Sequence, residues 1–455
     1  MLPVVSVAEM RDADARAPVP VDVLIGRAGW AVATAASRML GGAYGRRVVV
    51  VAGKGNNGAD GRAAAAVLAR HGAQVRLVEP GAPVGTADLV VDAAFGTGFR
   101  GAYRAPDPAA AAVLAVDIPS GVHGDSGEAS ETAVRATRTV TMAAWKPGLL
   151  LGAGADLAGS VEVADIGLPV GEPRTHLIED ADRAWLPARP RNTHKWVSAV
   201  WIVAGSPGMQ GAPALCSRAA QRAGAGMVHL GSPGLRASEH PAGEAVAVGL
   251  PAEGWDAVVA GEIERFGAVV IGPGLGHGDA IRDGLRRLVS TGSVPLVIDA
   301  DGLTALGTAS EAAAAIGCRP ASAGPVVLTP HDGEFARLAG NPPGTDRLAS
   351  VRDLASRTGA VVLLKGSTTV VGEPGGEAVL SASGDARLAT AGTGDVLSGI
   401  LGAFLAQGVG RGGLHEGMRA AALAAHVHGR AAARGHRVGL VAGDLPDLLP
   451  GVLGA

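Results

Sequence analysis

The chain has 455 residues, of which 47% are hydrophobic and 18% charged, and its formal net charge is −3. A chain of this length exceeds one typical hydrophobic core, so we expect two or more domains. The charges are mixed and form no sustained basic or acidic run, which argues against nucleic acid or an anionic membrane as a partner. Two cysteines, Cys216 and Cys318, are too few for a disulfide framework.

The N-terminal segment Met1–Ala17 does not have the composition of a secretory signal. It carries charged side chains from Glu9 to Arg16 and lacks an apolar core. No stretch of the chain is long and apolar enough to span a bilayer. We therefore expect a cytoplasmic protein with no membrane partner.

Lysine is scarce in this chain. Only Lys54, Lys146, Lys195 and Lys365 occur among 39 basic residues. A lysine retained in an arginine-rich chain indicates a position that requires a compact ammonium group. Lys54 and Lys365 lie in or beside glycine-containing loops, which makes both candidates for ligand contacts.

The first half of the chain alternates helix and strand patterns. Periodicity predicts a helix over Asp22–Leu40, a strand over Arg47–Ala52, a loop over Gly53–Gly61, a helix from Ala63 to Arg70, and strands over Gln74–Val78, Ala87–Asp92, Ala112–Asp117 and Thr137–Met142. Strands that alternate with helices predict right-handed βαβ units and a parallel sheet.

The second half restarts this alternation after a linker. Glycine and proline mark the linker at Leu168–Arg174, which separates predicted domains of residues 1–172 and 178–455. The predicted strands are Ala199–Ala204, Met227–Leu230, Ala268–Ile271, Val294–Asp299, Val326–Leu328 and Val361–Leu364, and the helices are Ala214–Arg222, Leu397–Leu405 and Met418–Arg434. This pattern predicts a second α/β sandwich, different from the first.

Three strand ends in the first half carry glycines and oxygen-bearing side chains: Gly53–Gly61, Asp92–Gly98 and Asp117–Gly121. Ligands of open α/β sheets bind at the carboxyl ends of strands, and the glycines allow a phosphate or pyrophosphate to approach the backbone. Asp60 fits the position of a cap on the following helix. The first loop lacks the Walker pattern, so a Walker-type NTPase is not supported.

The same three strand ends predict an oxygen-rich pocket. Asp92, Asp117, Ser120 and Asn57 are expected to converge there, and hard oxygen ligands suit K⁺, Na⁺ or Mg²⁺. Each aspartate taken alone also fits a turn or cap residue, so both interpretations stay open at this point.

The second half ends its strands in richer loops: Val203–Pro213, Ile271–Gly276, Asp299–Leu303, Thr329–Phe335 and Leu364–Thr369. A sixth, Ala389–Asp395, leads into a helix whose free amides and positive dipole end favour a phosphate. Asp395 either caps that helix or takes a proton from a hydroxyl that attacks the phosphate.

These loops favour phosphoryl transfer, which depends on positioning and charge neutralisation. Lys365 is predicted to contact a phosphate beside an anion hole formed by the Gly392–Gly394 amides; the alternative is a solvated lysine at a turn. His331, beside Glu334, fits either a structural residue or a substrate contact. Asp299 and Asp301 fit water-mediated Mg²⁺ contacts or turn formers, and neither interpretation is preferred.

The motifs of the two halves together resemble a known family. Those of the first half resemble the N-terminal NAD(P)H-hydrate epimerase domain, and Ala204–Pro213, Gly272–Gly276, Thr329–Glu334, Lys365–Thr369 and Gly392–Asp395 resemble the ADP/ATP-dependent NAD(P)H-hydrate dehydratase domain. Their order is similar to that of the bifunctional NAD(P)H-hydrate repair enzymes. The resemblance implies an α/β fold in two domains, a Rossmann-like three-layer sandwich followed by a ribokinase-like α/β sandwich.

The activity that the resemblance implies is metabolite repair. The first domain interconverts the R and S hydrates of NADH and NADPH, and the second uses ADP to dehydrate the S form, releasing AMP and phosphate. The implied cofactors are K⁺ at the epimerase site and Mg²⁺ with ADP at the dehydratase site. The implied partners are the hydrates NADHX and NADPHX and ADP, and we expect a homo-oligomer.

The resemblance also implies roles for individual residues. Contacts to the hydrate in the first domain are implied for Asn56, Asn57, Gly58, Ala59, Asp60, Gly96, Thr97, Gly98, Phe99, Arg100, Gly101, Ala102 and Asp117. K⁺ ligation is implied for Asn57, Asp92 and Ser120. In the second domain the hydrate contacts are Ala212, Gly274, His331 and Asp395, and the nucleotide contacts are Lys365, Gly366, Ser367, Thr368, Thr369 and Gly394. Asp117 and Asp395 are the implied catalytic groups.

The chain departs from the family pattern at two positions in these motifs. Ala59 stands where the family usually has glycine, and Asp332 replaces the proline that usually follows the histidine. The alternative function is a ribokinase-like small-molecule kinase with a non-catalytic N-terminal ligand-binding domain.

Overall fold

The computed structural model describes residues 1–241, 243–409 and 413–454. It divides into two compact units. The N-terminal unit is Leu2–His176, and the C-terminal unit is Leu177–Ala455 together with Met1. Among the helices of the described ranges, none has the length and apolar character that crossing a membrane requires.

The N-terminal unit is an α/β unit with one parallel sheet. Its elements are β1 (Leu2–Val4), α1 (Val7–Ala15), α2 (Val21–Leu40), β2 (Arg47–Ala52), α3 (Asn56–Arg70), β3 (Gln74–Val78), β4 (Leu89–Ala93), β5 (Ala112–Val116), β6 (Arg138–Met142), α4 (Gly152–Leu157) and β7 (Ser160–Ala164). The sheet order is β3-β2-β4-β5-β6-β7, and every pairing is parallel, as predicted.

Both faces of this sheet are covered, which explains why β2 is apolar at consecutive positions. Val48 and Val50 point to one face, where they pack with α2 and α3. Val49 and Val51 point to the other face, where side chains of the long loops, including Tyr103, pack on them. Strand β7 and helices α1 and α4 were not predicted.

Helix α3 begins at Asn56, with Gly55 as its N-cap. The prediction of a loop over Gly53–Gly61 is therefore wrong from Asn56 onward. Asp60 lies inside the helix, and its predicted capping role is also wrong. The early start depends on close packing, because a Cβ on Gly58 would stand 1.9 Å from the carbonyl oxygen of Gly53.

The C-terminal unit is a larger α/β sandwich that follows the short strand β8 (Thr175–Leu177). Its elements are β9 (Ala199–Val203), α5 (Gly211–Arg222), β10 (Met227–Pro233), β11 (Val246–Leu250), α6 (Trp255–Glu262), β12 (Ala268–Ile271), α7 (Asp279–Thr291), β13 (Leu296–Ile298), α8 (Asp301–Leu306), α9 (Ala309–Gly317), β14 (Val326–Leu328), α10 (Asp332–Ala339), α11 (Arg347–Thr358), β15 (Val361–Leu364), β16 (Thr369–Gly372), β17 (Ala378–Ser381), α12 (Thr393–Phe404), α13 (Leu414–Arg434) and α14 (Leu445–Leu453).

The sheet of this unit runs in the order β17-β16-β15-β14-β13-β12-β9-β10-β11. Its pairings from β15 to β11 are parallel, whereas β16 and β17 form an antiparallel edge. Helices α5, α12, α13 and α14 bury one face of the sheet, and α11 packs on β15 and β16 beside α9 and α7. The predicted fold class is confirmed, and the antiparallel edge was not predicted.

Helix α12 carries the predicted catalytic Asp395 and crosses α5 at very close range. A Cβ on Gly399 would stand 2.2 Å from the carbonyl oxygen of Cys216 and 3.0 Å from Cβ of Ala219. A glycine is therefore required for the two helices to approach, and their contact fixes the position of the α12 N-terminus.

We predict that Gly399→Ala lowers the free energy of unfolding of the C-terminal unit by about 2 kcal/mol, because the added methyl group forces α12 away from α5. Denaturant unfolding of the full chain measures the change. The matched control is Gly261→Ala in α6, where nothing lies within 4 Å of the added Cβ. Equal stability of the two variants would contradict the packing argument.

Candidate active sites

The N-terminal unit has a cavity of about 1320 Å³ at the carboxyl ends of its strands. Nine of the predicted hydrate-binding residues line it: Asn56, Asn57, Asp60, Gly96, Thr97, Gly98, Phe99, Arg100 and Asp117. Apolar side chains of α2 and β3 also line it, with Leu24, Ile25 and Leu77 among them. The structure thus brings most of the predicted hydrate contacts to one cavity large enough for a dinucleotide.

Asp117 follows β5 and lines this cavity with a constrained backbone. Its φ of 66° lies in the left-handed region, which is uncommon for residues other than glycine. Its Oδ1 accepts hydrogen bonds from Lys146 Nζ at 2.6 Å and Thr141 Oγ1 at 3.1 Å. Lys146 is fully buried and also donates to the carbonyl oxygen of Met142 at 2.6 Å. The Asp117 carboxylate is therefore fixed by a buried ammonium but remains at the cavity wall.

The three predicted K⁺ ligands form two neighbouring groups. Ser120 donates to both oxygens of Asp92, from Oγ at 2.7 Å and from its amide at 2.8 Å. Burial raises the pKa of Asp92 to about 6, against the lowering effect of these hydrogen bonds. The Phe95 amide donates to Ser120 Oγ at 2.9 Å, and the next residue, Gly96, lies against the side chain of Asn57.

The amide group of Asn57 is the unsatisfied part of this arrangement. Its Oδ1 and Nδ2 are both buried and lack a hydrogen-bond partner in the fully described N-terminal unit. A buried amide without a partner costs about 1–3 kcal/mol, which indicates that a ligand completes the site.

Four predicted hydrate contacts do not line the cavity within this unit, all of which the structure describes: Gly58, Ala59, Gly101 and Ala102. Gly58 instead packs on the backbone of Gly53. Ala59 lies in the first turns of α3, where its amide donates to the Gly55 carbonyl at 3.0 Å. Its backbone is helical, so glycine is not required at this position.

In the C-terminal unit, the N-terminus of α12 is open to an anion. The N-cap is Gly392, with φ 90°, which offers no side chain to the first amides of the helix. Asp395 is therefore not the N-cap, and that interpretation of the sequence is wrong. Thr393 Oγ1 donates back to the Leu388 carbonyl at 2.9 Å, which fixes the turn. The free amides and the helix dipole are the features that an anion site requires, and the site itself stays a prediction.

Lys365 forms an ion pair beside this turn. Its Nζ donates to Asp299 Oδ1 at 2.5 Å, and Ser398 Oγ donates to the other oxygen, Oδ2, at 2.7 Å. A Cβ on Gly394 would stand 3.4 Å from Lys365 Nζ, so the ammonium lies directly against the α12 turn. The interpretation of Lys365 as a solvated lysine is wrong, and Asp299 is the residue that positions it.

Asp395 lies among other carboxylates. Burial raises its pKa to about 6, Asp299, Asp301 and Glu334 add to the rise, and Lys365 opposes it. Such a carboxylate is ionised near neutrality and still basic enough to accept a proton from a hydroxyl.

The predicted hydrate contacts Ala212, Gly274 and His331 come from three further loops. A Cβ on Gly274 would stand 3.2 Å from Cβ of Ala212, which places the first two together. His331 is the N-cap of α10, where its Nδ1 accepts from the Gly333 amide at 3.0 Å. Its Nε2 lies 3.5 Å from Glu334 Oε1 in a side chain that is 57% exposed. The ring therefore combines a structural role with an accessible nitrogen.

The predicted nucleotide loop connects β15 to β16. Gly366 and Ser367 are exposed, Thr368 is buried, and Thr369 starts β16. Arg347 holds this loop, because its Nη2 donates to the Lys365 carbonyl at 3.0 Å and to Asp332 Oδ1 at 2.8 Å. Asp332, the departure from the family proline, thus anchors the arginine that supports the loop.

Three residues that the structure places at these sites received no such role from the sequence: Asp14 was not considered, Lys146 was noted only as a retained lysine, and the role of Asp299 was left open. Asp14 of α1 lines the N-terminal cavity, Lys146 holds Asp117, and Asp299 holds Lys365. The scarcity of lysine was the signal for Lys146, which lies in an apolar segment. Asp14 carries no comparable signal, because α1 approaches the cavity only in the folded unit.

The comparisons with known proteins agree with the two-unit organisation. A family model described as NAD(P)H-hydrate dehydratase matches residues 200–450, and one described as YjeF-related protein N-terminus matches residues 21–84 and 78–148.

Three relatives are each named bifunctional NAD(P)H-hydrate repair enzyme Nnr. The relative from Salinibacter ruber is 37% identical, with 89% of this chain and 87% of that protein covered. The relative from Moorella thermoacetica is 36% identical, with 99% and 96% covered. The relative from Mycobacterium tuberculosis is 38% identical, with 90% of both covered. A solved ADP/ATP-dependent NAD(P)H-hydrate dehydratase from Bacillus subtilis aligns with a TM-score of 0.49 and 28% identity, covering 61% of this chain and 98% of that one.

The fold is that of an α/β protein in two units, with a candidate site in each unit. The family is shown by the dehydratase model, which matches more than half of the chain, and by relatives similar over nearly its full length. The chain belongs to the bifunctional NAD(P)H-hydrate repair enzymes.

We predict that Lys146→Met lowers the free energy of unfolding of the N-terminal unit by about 3 kcal/mol, because it removes the cation that pairs with the Asp117 carboxylate and donates to the Met142 carbonyl. Thermal and denaturant unfolding measure the effect. Lys54→Met is the control, since Lys54 is exposed and should change stability by no more than about 0.5 kcal/mol. A similar small change in Lys146→Met would show that the buried ammonium is dispensable.

Proposed function

We propose that this chain repairs hydrated NADH and NADPH. The N-terminal unit interconverts the R and S hydrates, and the C-terminal unit uses ADP to convert the S hydrate to NAD(P)H, with release of AMP and phosphate. The names of the relatives support this assignment. The observation that carries it is the open N-terminus of α12, with Asp395 on its first turn and the Lys365–Asp299 pair against it.

In the dehydratase step, Asp395 accepts the hydroxyl proton of the S hydrate while the hydroxyl oxygen attacks the terminal phosphorus of ADP. The bond from phosphorus to the AMP oxygen breaks, and AMP leaves. The α12 amides and Lys365 stabilise the charge on the transferred phosphoryl group. Elimination of phosphate, with loss of a proton from the neighbouring ring carbon, restores the ring double bond.

We assign the adenine nucleotide to Lys365, Gly366, Ser367, Thr368, Thr369 and Gly394, and the hydrate to Ala212, Gly274, His331 and Asp395. Arg347 and Asp332 position the nucleotide loop. Mg²⁺ is expected to accompany ADP. The carboxylates of Asp299 and Asp301 fit it as oxygen donors, and the ion would neutralise phosphate charge.

In the N-terminal unit, we assign the hydrate to the cavity that contains Asp117. K⁺ is assigned to Asn57, Asp92 and Ser120, which fit it because the buried Oδ1 of Asn57 lacks a partner in this unit and the other two supply oxygen atoms. Bound K⁺ would supply positive charge beside the pyrophosphate of the substrate. A cytoplasmic location and a homo-oligomer remain predictions.

One experiment tests the assignment against the kinase alternative. Purified protein is incubated with an epimer mixture of NADPH hydrate, first with ADP and then with ATP, while the absorbance of reduced nicotinamide and free phosphate are followed. Repair restores the absorbance of reduced nicotinamide, releases free phosphate and consumes both epimers. A kinase instead accumulates a phosphorylated hydrate with no free phosphate, and that result would overturn the proposal.

We predict that Asp395→Ala lowers the rate of dehydration by about 1000-fold with ADP binding retained, because the general base is lost. Wild-type dehydration should rise with pH through about 6, since Asp395 acts in its ionised form. Single-turnover rates at saturating ADP, together with calorimetric ADP binding, measure these effects.

Asp353→Ala is the control for this series, because Asp353 is exposed on α11 and pairs only with Arg357 among the described residues. Lys365→Met should move the pH midpoint upward, since a cation that lowers the Asp395 pKa is removed. A midpoint that stays the same or falls would contradict the assignment of Asp395 as the titrating base.

We predict that Asn57→Ala abolishes stimulation of R-to-S exchange by K⁺, because the unpartnered amide oxygen supplies one ligand. Exchange is compared in potassium chloride and choline chloride at equal ionic strength. Asn341→Ala, at an exposed position of the C-terminal unit, is the control. Undiminished K⁺ stimulation in Asn57→Ala would refute the site.

A further inference from the structure

Three carboxyl groups from three separate elements line the N-terminal cavity. Asp14 comes from α1, Asp60 from α3, and Asp117 from the end of β5. Asp117 is bound by Lys146, whereas no residue of this fully described unit donates a hydrogen bond to the carboxyl of Asp60. The cavity therefore presents one carboxylate fixed by an ammonium and one carboxyl group free to exchange a proton.

Asp60 and Asp117 have different surroundings. The pKa of Asp60 is raised to about 8. Burial is the largest cause, the charges of Asp117 and Asp14 add to the rise, and Lys146 opposes it. Burial and then Asp117 also raise the pKa of Asp14. At neutral pH the Asp60 carboxyl is mostly protonated, while the Asp117 carboxylate accepts a hydrogen bond from the Lys146 ammonium. Environments that differ in this way commonly distinguish an acid from a base in one site.

Four other ionisable side chains line the cavity. They are Lys54, Arg62, Glu79 and Arg100. Arg62 donates to the Gly53 carbonyl at 2.7 Å and Arg100 to the Phe99 carbonyl at 2.8 Å, so both are engaged with backbone.

We propose that Asp60 and Asp117 form the acid–base pair of epimerisation, with Asp60 as the proton donor and Asp14 as the charge that keeps it protonated. This inference rests on the proposed epimerase function. Asp60 then takes part in the reaction itself and does not only contact the substrate. Asp14 acts as a positioning residue, because its charge keeps the proton on Asp60.

Water adds to the ring double bond next to the ring nitrogen, so the hydroxyl stands on the carbon bonded to that nitrogen. Asp60 gives its proton to this hydroxyl, the carbon–oxygen bond breaks, and the nitrogen lone pair forms a carbon–nitrogen double bond. A water molecule attacks the opposite face of the carbon and gives a proton to Asp117, while the electron pair returns to nitrogen.

The product is the inverted hydrate and one released water. Asp60 is then ionised and Asp117 protonated, which is the arrangement that runs the reaction in the opposite direction. Proton exchange through the water of the cavity restores the starting form. No oxidant or reductant takes part.

The test follows R-to-S exchange by chromatography in the full-length protein with K⁺ present. Asp60→Asn should lower exchange by at least about 100-fold at neutral pH, because it cannot donate a proton, and Asp60→Glu should restore part of the rate. Wild-type exchange should fall as the pH rises through about 8. Asp14→Asn should move that fall to lower pH, since a negative neighbour that raises the Asp60 pKa is removed.

The matched control is Asp12→Asn, an exposed aspartate on the same helix as Asp14 that does not line the cavity. Its rate and pH profile should equal those of the wild type. Thermal unfolding of each variant excludes loss of the fold as the cause of a slow rate. If Asp60→Asn unfolds, the pH shift expected for Asp14→Asn still tests the inference.

Oxygen-18 water adds a readout that a structural role does not change. Each wild-type inversion should introduce one solvent oxygen into the hydrate. Inversion that keeps the original oxygen, or Asp60→Asn with the wild-type rate and pH profile, would overturn the inference. A wild-type protein without any exchange activity would instead overturn the proposed epimerase function, so the two failures are distinguishable.

Discussion

A lysine ammonium paired with a carboxylate at the end of a parallel strand is the interaction on which both sites depend. Lys146 holds Asp117 in the first unit, and Lys365 holds Asp299 in the second. In each pair the separation is about 2.6 Å or less, and at least one partner is nearly or fully buried, so removal of either charge leaves the other without a partner. In each pair the lysine holds an acidic side chain beside a cavity or beside free backbone amides. Without the lysine, the negative charge of a pyrophosphate-bearing substrate would repel that acidic side chain.

Burial raises the pKa of one further carboxyl group in each unit, and the fixed aspartate charges add to that rise. Asp60 lies beside the Asp117 charge, and Asp395 lies beside that of Asp299, and in both cases the pKa is raised. The rise is larger for Asp60, to about 8, than for Asp395, to about 6. In the proposed mechanism, this difference suits Asp60 to donate a proton to a leaving hydroxyl and Asp395 to accept a proton from an attacking one.

Much of the fold was predictable because β-strands covered on both faces are apolar at successive positions, as in Arg47–Ala52, and because strand ends carried glycine and acidic residues. The start of α3 was not predictable: Asn56 to Gly61 favour a loop by composition, and only the close packing of Gly58 on Gly53 makes them helical. The antiparallel edge of the second sheet depends on long-range pairing that local pattern does not encode. At the sites, strand ends identified Asp117 and Asp395, but their partners came from distant elements. The site assignments themselves stay predictions.

The two units have separate hydrophobic cores, one built around β2 and β4 and the other around β9 and β12. Neither core takes a residue from the other unit. Most of the apolar surface that each core buries therefore comes from its own unit. A substitution that opens a cavity in one core is expected to weaken the packing of that unit first.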